Sequence, residues 1–480
     1  MVSNIAGGKR RAKQVRIGAP DPSLTGVSGL VAVRELADRL GVIGCLDRAV
    51  GPIKARSRGF SAGQLLVGIA AAQLAGESWL VGLDRQRADA VGQALSPVAG
   101  LAASTAAGLA RRMTQTGWTS VERGIAAVTG AMVGLAPAER REVLLAKATI
   151  DLDATDVEVY GRKKRGVAYN YQGQRCGRPH VATWAQTGTV LAADLLAGDV
   201  DPRRGAPGLL ARALAGLPAG VGPVSMRADA GYFAGDLARA ARELNVSFAI
   251  GAKRITAVWR ALNGIGETDW IDAIDMPGAQ IAVSNYRPVE WPTGTVMLIR
   301  RVRLDAEQIS RDPRARRRRT IPADQLQLAL DGELSTVYGY SFILTDLDVS
   351  SSAKAASVEY WYRHRTEIEN AFRDSKHGGA LRHLPSGHPE INTAWMWGAL
   401  LATTMAGWLH QLTVTRDEHG RMVGLGTRGG KAMIETLRGQ IIAVPGRLTN
   451  HAGQPVLRLP PGRQLLAEVL SRLRKLPATT

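Results

Sequence analysis

Four side chains of complementary chemistry recur at helical spacing in the run YRHRTEIENAFRDSK: Tyr362, Arg365, Glu369 and Lys376 are three, four and seven residues apart. At about 100° per residue they fall within roughly 60° of one helical face. Trp361, Ile368 and Phe372 form an apolar stripe beside them, so the pattern predicts one helix that buries an edge and offers the other to a ligand. A phenol, two cations and a carboxylate facing one way suit a polyanion held beside a metal ion. Upstream, two predicted strands end in acids, TIDLDATD with Asp151 and Asp153, and SMRADAGY with Asp229. Carboxylates gathered from such distant segments suit Mg²⁺, which takes oxygen ligands. A pair of such ions, roughly 4 Å apart, cleaves phosphodiesters by activating the attacking oxygen and stabilising the leaving one.

Other elements must bring these segments together. Apolar residues at intervals of three and four predict helices between about 28 and 135. From LLAKATIDLDATD the period changes to two, with Asp151, Asp153 and Thr155 on one strand face and Asp156 off it, read as a surface residue. A hairpin around Thr187-Gly188 follows. Then come a helix near 207–217, a strand near 221–228, a helix near 235–244 and the strand SFAIGAK. Between Asp229 and Glu369 lie too many residues for one helical crossover, and their β-branched and aromatic content predicts further strands. RDPRARRRRT (Arg311–Thr320) interrupts them as a cationic loop. Each acid has a plainer role open to it. Asp229 before Ala-Gly-Tyr fits a cap, and Glu369 can pair with Arg365 or Arg373. Tyr232 and Phe233 fit core packing as well as base stacking.

Charge supplies the global constraint: 61 Lys and Arg against 42 Asp and Glu give a formal net charge of +19. Such an excess favours a polyanionic partner, since each cation docked on phosphate releases counterions. GRKKRGVAYNYQGQ, directly after the first acidic strand, sets Arg162, Lys163, Lys164 and Arg165 beside Tyr169 and Tyr171, cations for a backbone and aromatics for unpaired bases. The 2 cysteines lack ligand-spaced partners, so no disulfide framework or zinc site is expected, and a reducing cytoplasm is the natural setting. No apolar signal core follows the basic N-terminus, and Ala394–Leu409 reads as a buried helix, not a membrane span. No G-x-x-x-x-G-K-[ST] loop appears, so no nucleotide cofactor is expected.

The Tyr-x2-Arg-x3-Glu-x6-Lys frame, with two acid-ended strands before it, resembles the DDE transposases of bacterial insertion sequences, in the branch of the insertion-sequence-four superfamily. DLDATDVEVYGRKKRGVAYNYQG and MRADAGYF are most similar to its insertion-sequence-thirteen-eighty family. The resemblance spans about residues 25–470 and implies an α/β, ribonuclease-H-like mixed sheet. It implies Asp153, Asp229 and Glu369 as catalytic metal ligands, Asp153 being favoured by its Asp-x-Thr frame and Asp151 being the fallback. It implies two Mg²⁺ ions per site, with Mn²⁺ as a substitute, and Tyr362, Arg365 and Lys376 on phosphates next to the scissile bond. The implied organisation is a flexible basic arm (1–20), a helical DNA-end-binding domain (21–140), a catalytic core (141–254 and 346–390) interrupted by an inserted β subdomain (255–345), and a helical C-terminal region (391–480).

The expected activity is cut-and-paste transposition on double-stranded DNA, at element ends and target, through a hairpin intermediate. A homodimer on paired ends is expected, with Ile391–Leu409 and Gln464–Leu476 at its interface, in a nucleoid-associated cytoplasmic setting without membrane contact. Two rivals are a metal-dependent nuclease of the same fold without strand transfer, and a non-catalytic remnant that only occupies element ends. An RNA-binding protein is a distant third, since no aromatic ribonucleoprotein motif is present.

Overall fold

The structure is a computed structural model that describes residues 15–55, 58–426 and 430–477. Residues 1–14 of the expected basic arm lie outside them. After the short strand Leu24–Thr25 come helices, among them α1 (Ala62–Ala75) and α2 (Gln115–Leu135). A capping box starts α1: the Ser61 hydroxyl accepts the Gln64 N–H (3.2 Å) while Gln64 Oε1 accepts the Ser61 N–H (3.0 Å). α1 is apolar on nearly every side, which suits a helix surrounded by protein.

The sheet is mixed and 11-stranded. Its main strands are β1 (Ala148–Ala154), β2 (Arg175–Trp184), β3 (Thr189–Ala197), β4 (Val224–Ala228) and β5 (Val246–Gly251), then β6 (Ala279–Ser284), β7 (Val296–Asp305) and β8 (Thr336–Thr345). The spatial order is β3-β2-β1-β4-β5-β8-β7-β6. β1, β4 and β5 run parallel, joined through α3 (Pro202–Ala215) and α4 (Gly235–Glu243), as parallel neighbours require. β2 and β3 form the hairpin around Thr187-Gly188. Strands β6 to β8 extend the same sheet by an antiparallel ladder that meets β5 over Ile343–Gly251, Leu344–Ile250 and Thr345–Ala249.

After the sheet come α5 (Ser352–Arg363), α6 (Thr366–Arg373) and the 25-residue α7 (Pro389–Thr413). α7 packs on α1 and β3, with Trp395, Trp397 and Trp408 at most 1% exposed. Contact with α1 is close: a Cβ at Gly398 would lie 2.4 Å from Ile69 Cγ2. Among the described residues no helix is long and apolar enough to cross a membrane. The expected dimer role of Ile391–Leu409 needs correction, because this segment is already surrounded by its own chain. The C-terminal region is also not all helical. A hairpin of Gly446–His451 and Gln454–Arg458 pairs with Leu24–Thr25 before α8 (Gln464–Lys475). One hydrophobic cluster runs from Leu30 through the sheet to Leu473.

Candidate active site

Strand register brings the first two acids together. In the parallel pair β1–β4, Asp151 lies opposite Arg227 and Leu152 opposite Ala228. The next position along sets Asp153 beside Asp229, with about 5 Å expected between neighbouring backbones. Asp229 is the first residue beyond β4, and its carboxylate accepts the Gly231 N–H (2.7 Å) to cap a short turn, Ala230–Tyr232. The acid is therefore also the cap. Asp153 Oδ1 accepts the Ala154 N–H (2.7 Å), fixing the carboxylate where the strand ends.

Glu369 arrives on α6, and here the structure departs from the single helix that the spacing predicts. The run from Tyr362 to Lys376 is divided: α5 ends at Arg363, α6 starts at Thr366, and Asp374–Gly378 closes as a π turn. At the first junction the bonds tighten to i→i+3, from the Arg365 N–H to the Tyr362 carbonyl (2.9 Å) and from the Ile368 N–H to the Arg365 carbonyl (3.0 Å). The guanidinium of Arg365, 11% exposed, lies between two acids: Nη1 is 3.5 Å from Asp153 Oδ2 and Nη2 is 3.3 Å from Glu369 Oε1. Glu369 itself is about half exposed.

The other members of the frame also turn inward. The Tyr362 hydroxyl donates to the Ala228 carbonyl (3.1 Å), and burial pushes its pKa up to about 12. Gly251 makes room for it, since a Cβ there would sit 2.8 Å from the phenol oxygen. Lys376 Nζ donates to Thr155 Oγ1 (2.7 Å) and the Asp156 carbonyl (2.9 Å), and burial lowers its pKa. Tyr362 thus pins the end of β4, and Lys376 pins the chain just past β1.

Burial, then Asp229, then Glu369 raise the Asp153 carboxyl to about 7, with Arg365 opposing them. This is a site that gathers negative charge with one guanidinium to offset it. An oxygen-only donor set of this kind fits Mg²⁺ in type. No three His, Cys, Asp or Glu side chains among the described residues stand as a ready metal cage, and the Glu369 carboxylate meets Arg365 at 3.3 Å. Asp153 and Asp229 line a cavity of about 700 Å³, together with Arg178, Arg203, Lys253 and Tyr171.

The profile of the family described as transposase DDE domain group 1 matches residues 8–478. This chain belongs to that family. Among solved structures it is similar to a piggyBac transposase synaptic complex with hairpin DNA, at 9% identity and a TM-score of 0.37, over 80% of this chain and 75% of that one. No curated protein matches it.

Within this DDE-family chain, Asp151 has a different surrounding from Asp153. It is 1% exposed and accepts from Arg227 Nε (2.7 Å) and Nη2 (2.8 Å). Arg227 also bonds the Trp361 carbonyl and lies 5.2 Å from the centre of the Trp361 ring. The sequence held a signal for this pair that the reading above missed. Arg227 stands two residues before Asp229 as Asp151 stands two before Asp153, so parallel pairing must oppose them. Asp156 needs correction too: it lies past the strand end, and its carboxylate accepts from Arg178 Nε (2.7 Å) and Asn170 Nδ2 (2.8 Å). Tyr232 is buried, 2% exposed, and Phe233 packs on Trp291 at 5.5 Å. Of the basic strap, Arg162, Lys163 and Arg165 are exposed, while Lys164 bonds the Leu384 carbonyl. Arg165 lies 2.8 Å from His388 Nδ1, and Tyr169 and Tyr171 are 67% and 90% exposed. Arg311, Arg314, Arg316, Arg317 and Arg319 of the cationic loop are exposed as well.

Proposed function

We propose that the protein is a cut-and-paste DNA transposase with a ribonuclease-H-like core, acting on the ends of its own insertion sequence, with Asp153, Asp229 and Glu369 as its catalytic acids. The observation that carries this reading is the juxtaposition of Asp153 and Asp229 at the open end of β1 and β4, with Glu369 linked to Asp153 through Arg365. Two Mg²⁺ ions held by these acids, or Mn²⁺ in their place, would supply an activated oxygen nucleophile and counter-charge for the leaving oxygen. In the free protein the Arg365 guanidinium offsets Asp153 and Glu369 instead. On the DNA complex it exchanges its carboxylate partners for the scissile phosphate, a cation aimed where charge develops. Tyr362 and Lys376 position the two strand ends and come next to the same phosphates. Asp151, neutralised by Arg227, takes no part as a ligand.

Water attacks the phosphodiester at each element end, the P–O bond breaks, and a 3′-hydroxyl is freed. That hydroxyl attacks a phosphodiester of the opposite strand and displaces the flanking 3′-oxygen to close a hairpin. Water hydrolyses the hairpin phosphodiester and frees the 3′-hydroxyl again, which attacks a target phosphodiester and displaces its 3′-oxygen. The exposed cations Arg162, Lys163 and Arg165, with Tyr169 and Tyr171, hold the distorted end beside the acids. The protein works as a homodimer on paired ends.

The test is Glu369→Gln on linear duplexes carrying the inverted repeats that flank the coding region. End binding is expected to persist while cleavage in Mg²⁺ or Mn²⁺ falls by about a thousandfold or more, the several kcal/mol that metal-assisted charge stabilisation supplies. Normal cleavage by this variant removes Glu369 from the mechanism. Pre-cut ends that are never joined to target would reduce the protein to a nuclease.

A further inference from the structure

At the opposite end of β1 from the acids, a second cavity of about 760 Å³ opens between α6 and the β2–β3 turn. Arg140, Arg227, Arg373 and Lys431 line it, and among its described lining residues Asp374 is the one carboxylate. Arg227 is committed to Asp151, which leaves three cations against one acid. Two of the three are half-buried and bonded to neutral oxygens: Arg140 Nε to Gln411 Oε1 (2.6 Å), and Lys431 Nζ to the Thr403 carbonyl (3.1 Å). Asp374 Oδ1 accepts the Ile434 N–H (2.7 Å). The turn is shaped around the lysine, for Gly188 has φ +68° and a Cβ there would lie 2.9 Å from Lys431 Nζ.

Holding cations away from water is costly when, among the described lining residues, a single carboxylate, Asp374, offsets Lys431 and none is bonded to Arg140. Burial lowers the pKa of Arg140 and Lys431 alike. A phosphate, with charge on two or more oxygens, would meet both at once. Arg227 and Trp361 line the cavity, and Asp153 and Asp229 do not; Thr149 and Asp153 are four residues apart, about 13 Å along a strand.

We propose that this cleft is a second phosphate site, taking a backbone phosphate of a DNA segment other than the one lying across the acids. Phosphate recognition rests on the cleft alone, whereas DNA as its source rests on the transposase reading. Inorganic phosphate and a random-sequence duplex of about 20 base pairs distinguish the two. Phosphate is expected to raise the melting temperature of the wild type and not that of Lys431→Met or Arg140→Gln. The slope of log affinity for the duplex against log salt is expected to shrink by about one for each cation removed, with end cleavage retained. Arg373→Gln, altered at an exposed position, gives the same slope test should a buried variant fail to fold. A wild type indifferent to phosphate overturns the site. Loss of the phosphate response with an unchanged duplex slope overturns DNA as the source. A protein that shows both responses yet never cuts element ends overturns the catalytic reading and leaves the cleft standing.

Discussion

Asp151 and Asp153 sit two residues apart on the same face of the same strand, and their surroundings are opposites. The first is dry, 1% exposed and gripped by two nitrogens of Arg227. The second stands one register step beyond the end of β4, where the neighbouring position holds another acid, and its carboxyl rises to about 7. Strand parity makes the two equivalent; the residue across the ladder separates them. A carboxylate opposite an arginine becomes part of the scaffold, whereas one opposite a carboxylate keeps its raised pKa even with Arg365 beside it.

The sharpest way to break this contrast is to remove each charge in turn. Asp153→Asn is expected to abolish cleavage, by about a thousandfold or more, whereas a catalytic loss confined to Asp151→Asn would invert the comparison. Next in size, Arg227→Ala removes the guanidinium from buried Asp151, a cost of about 3–5 kcal/mol read as a lower melting temperature. A change below about 1 kcal/mol would mean that the pair is not structural.

A pH series on stability separates the acids further. Asp153 has its folded pKa raised from 3.8 to about 7, so the folded state binds the extra proton between those values. Stability must then fall as pH rises from 4 to 7 on its account. Asp153→Asn should flatten that fall and be the more stable protein at pH 8, by up to about 4 kcal/mol in metal-free buffer. Divalent ions should stabilise the wild type and not the variant. The smallest effect belongs to Tyr362→Phe, which loses one hydrogen bond to the Ala228 carbonyl, about 1 kcal/mol. Its DNA salt slope should not change if the phenol only positions β4.

Much of this arrangement was legible beforehand, for reasons tied to particular residues. Period-two text around Asp151 and Asp153 marked β1, Thr187-Gly188 marked the hairpin, and the helix–strand–helix–strand order carried Asp229 to the end of the fourth core strand. Periodicity reports which side of an element is wet, so it could not report the junction at Arg365, where no proline or glycine interrupts the helical pattern. At that tightened turn the guanidinium lies between Asp153 of β1 and Glu369 four residues further along the same run. Nor could it tell a helix buried in its own core from one covered by a partner. The apolar wrap of Ile391–Leu409 serves either, and α1 is what decided it.

The central position of α7 constrains how the protein is made. Gln73 on α1 donates to the carbonyl of Trp395, 322 residues later. Helices translated early therefore wait with their greasy sides uncovered until a segment from the last quarter of the message leaves the ribosome. Folding that hinges on so distant a closure is slow. A cell that starves such a chain of chaperones, or cuts its message short before residue 389, would accumulate an aggregation-prone fragment with no power to move DNA.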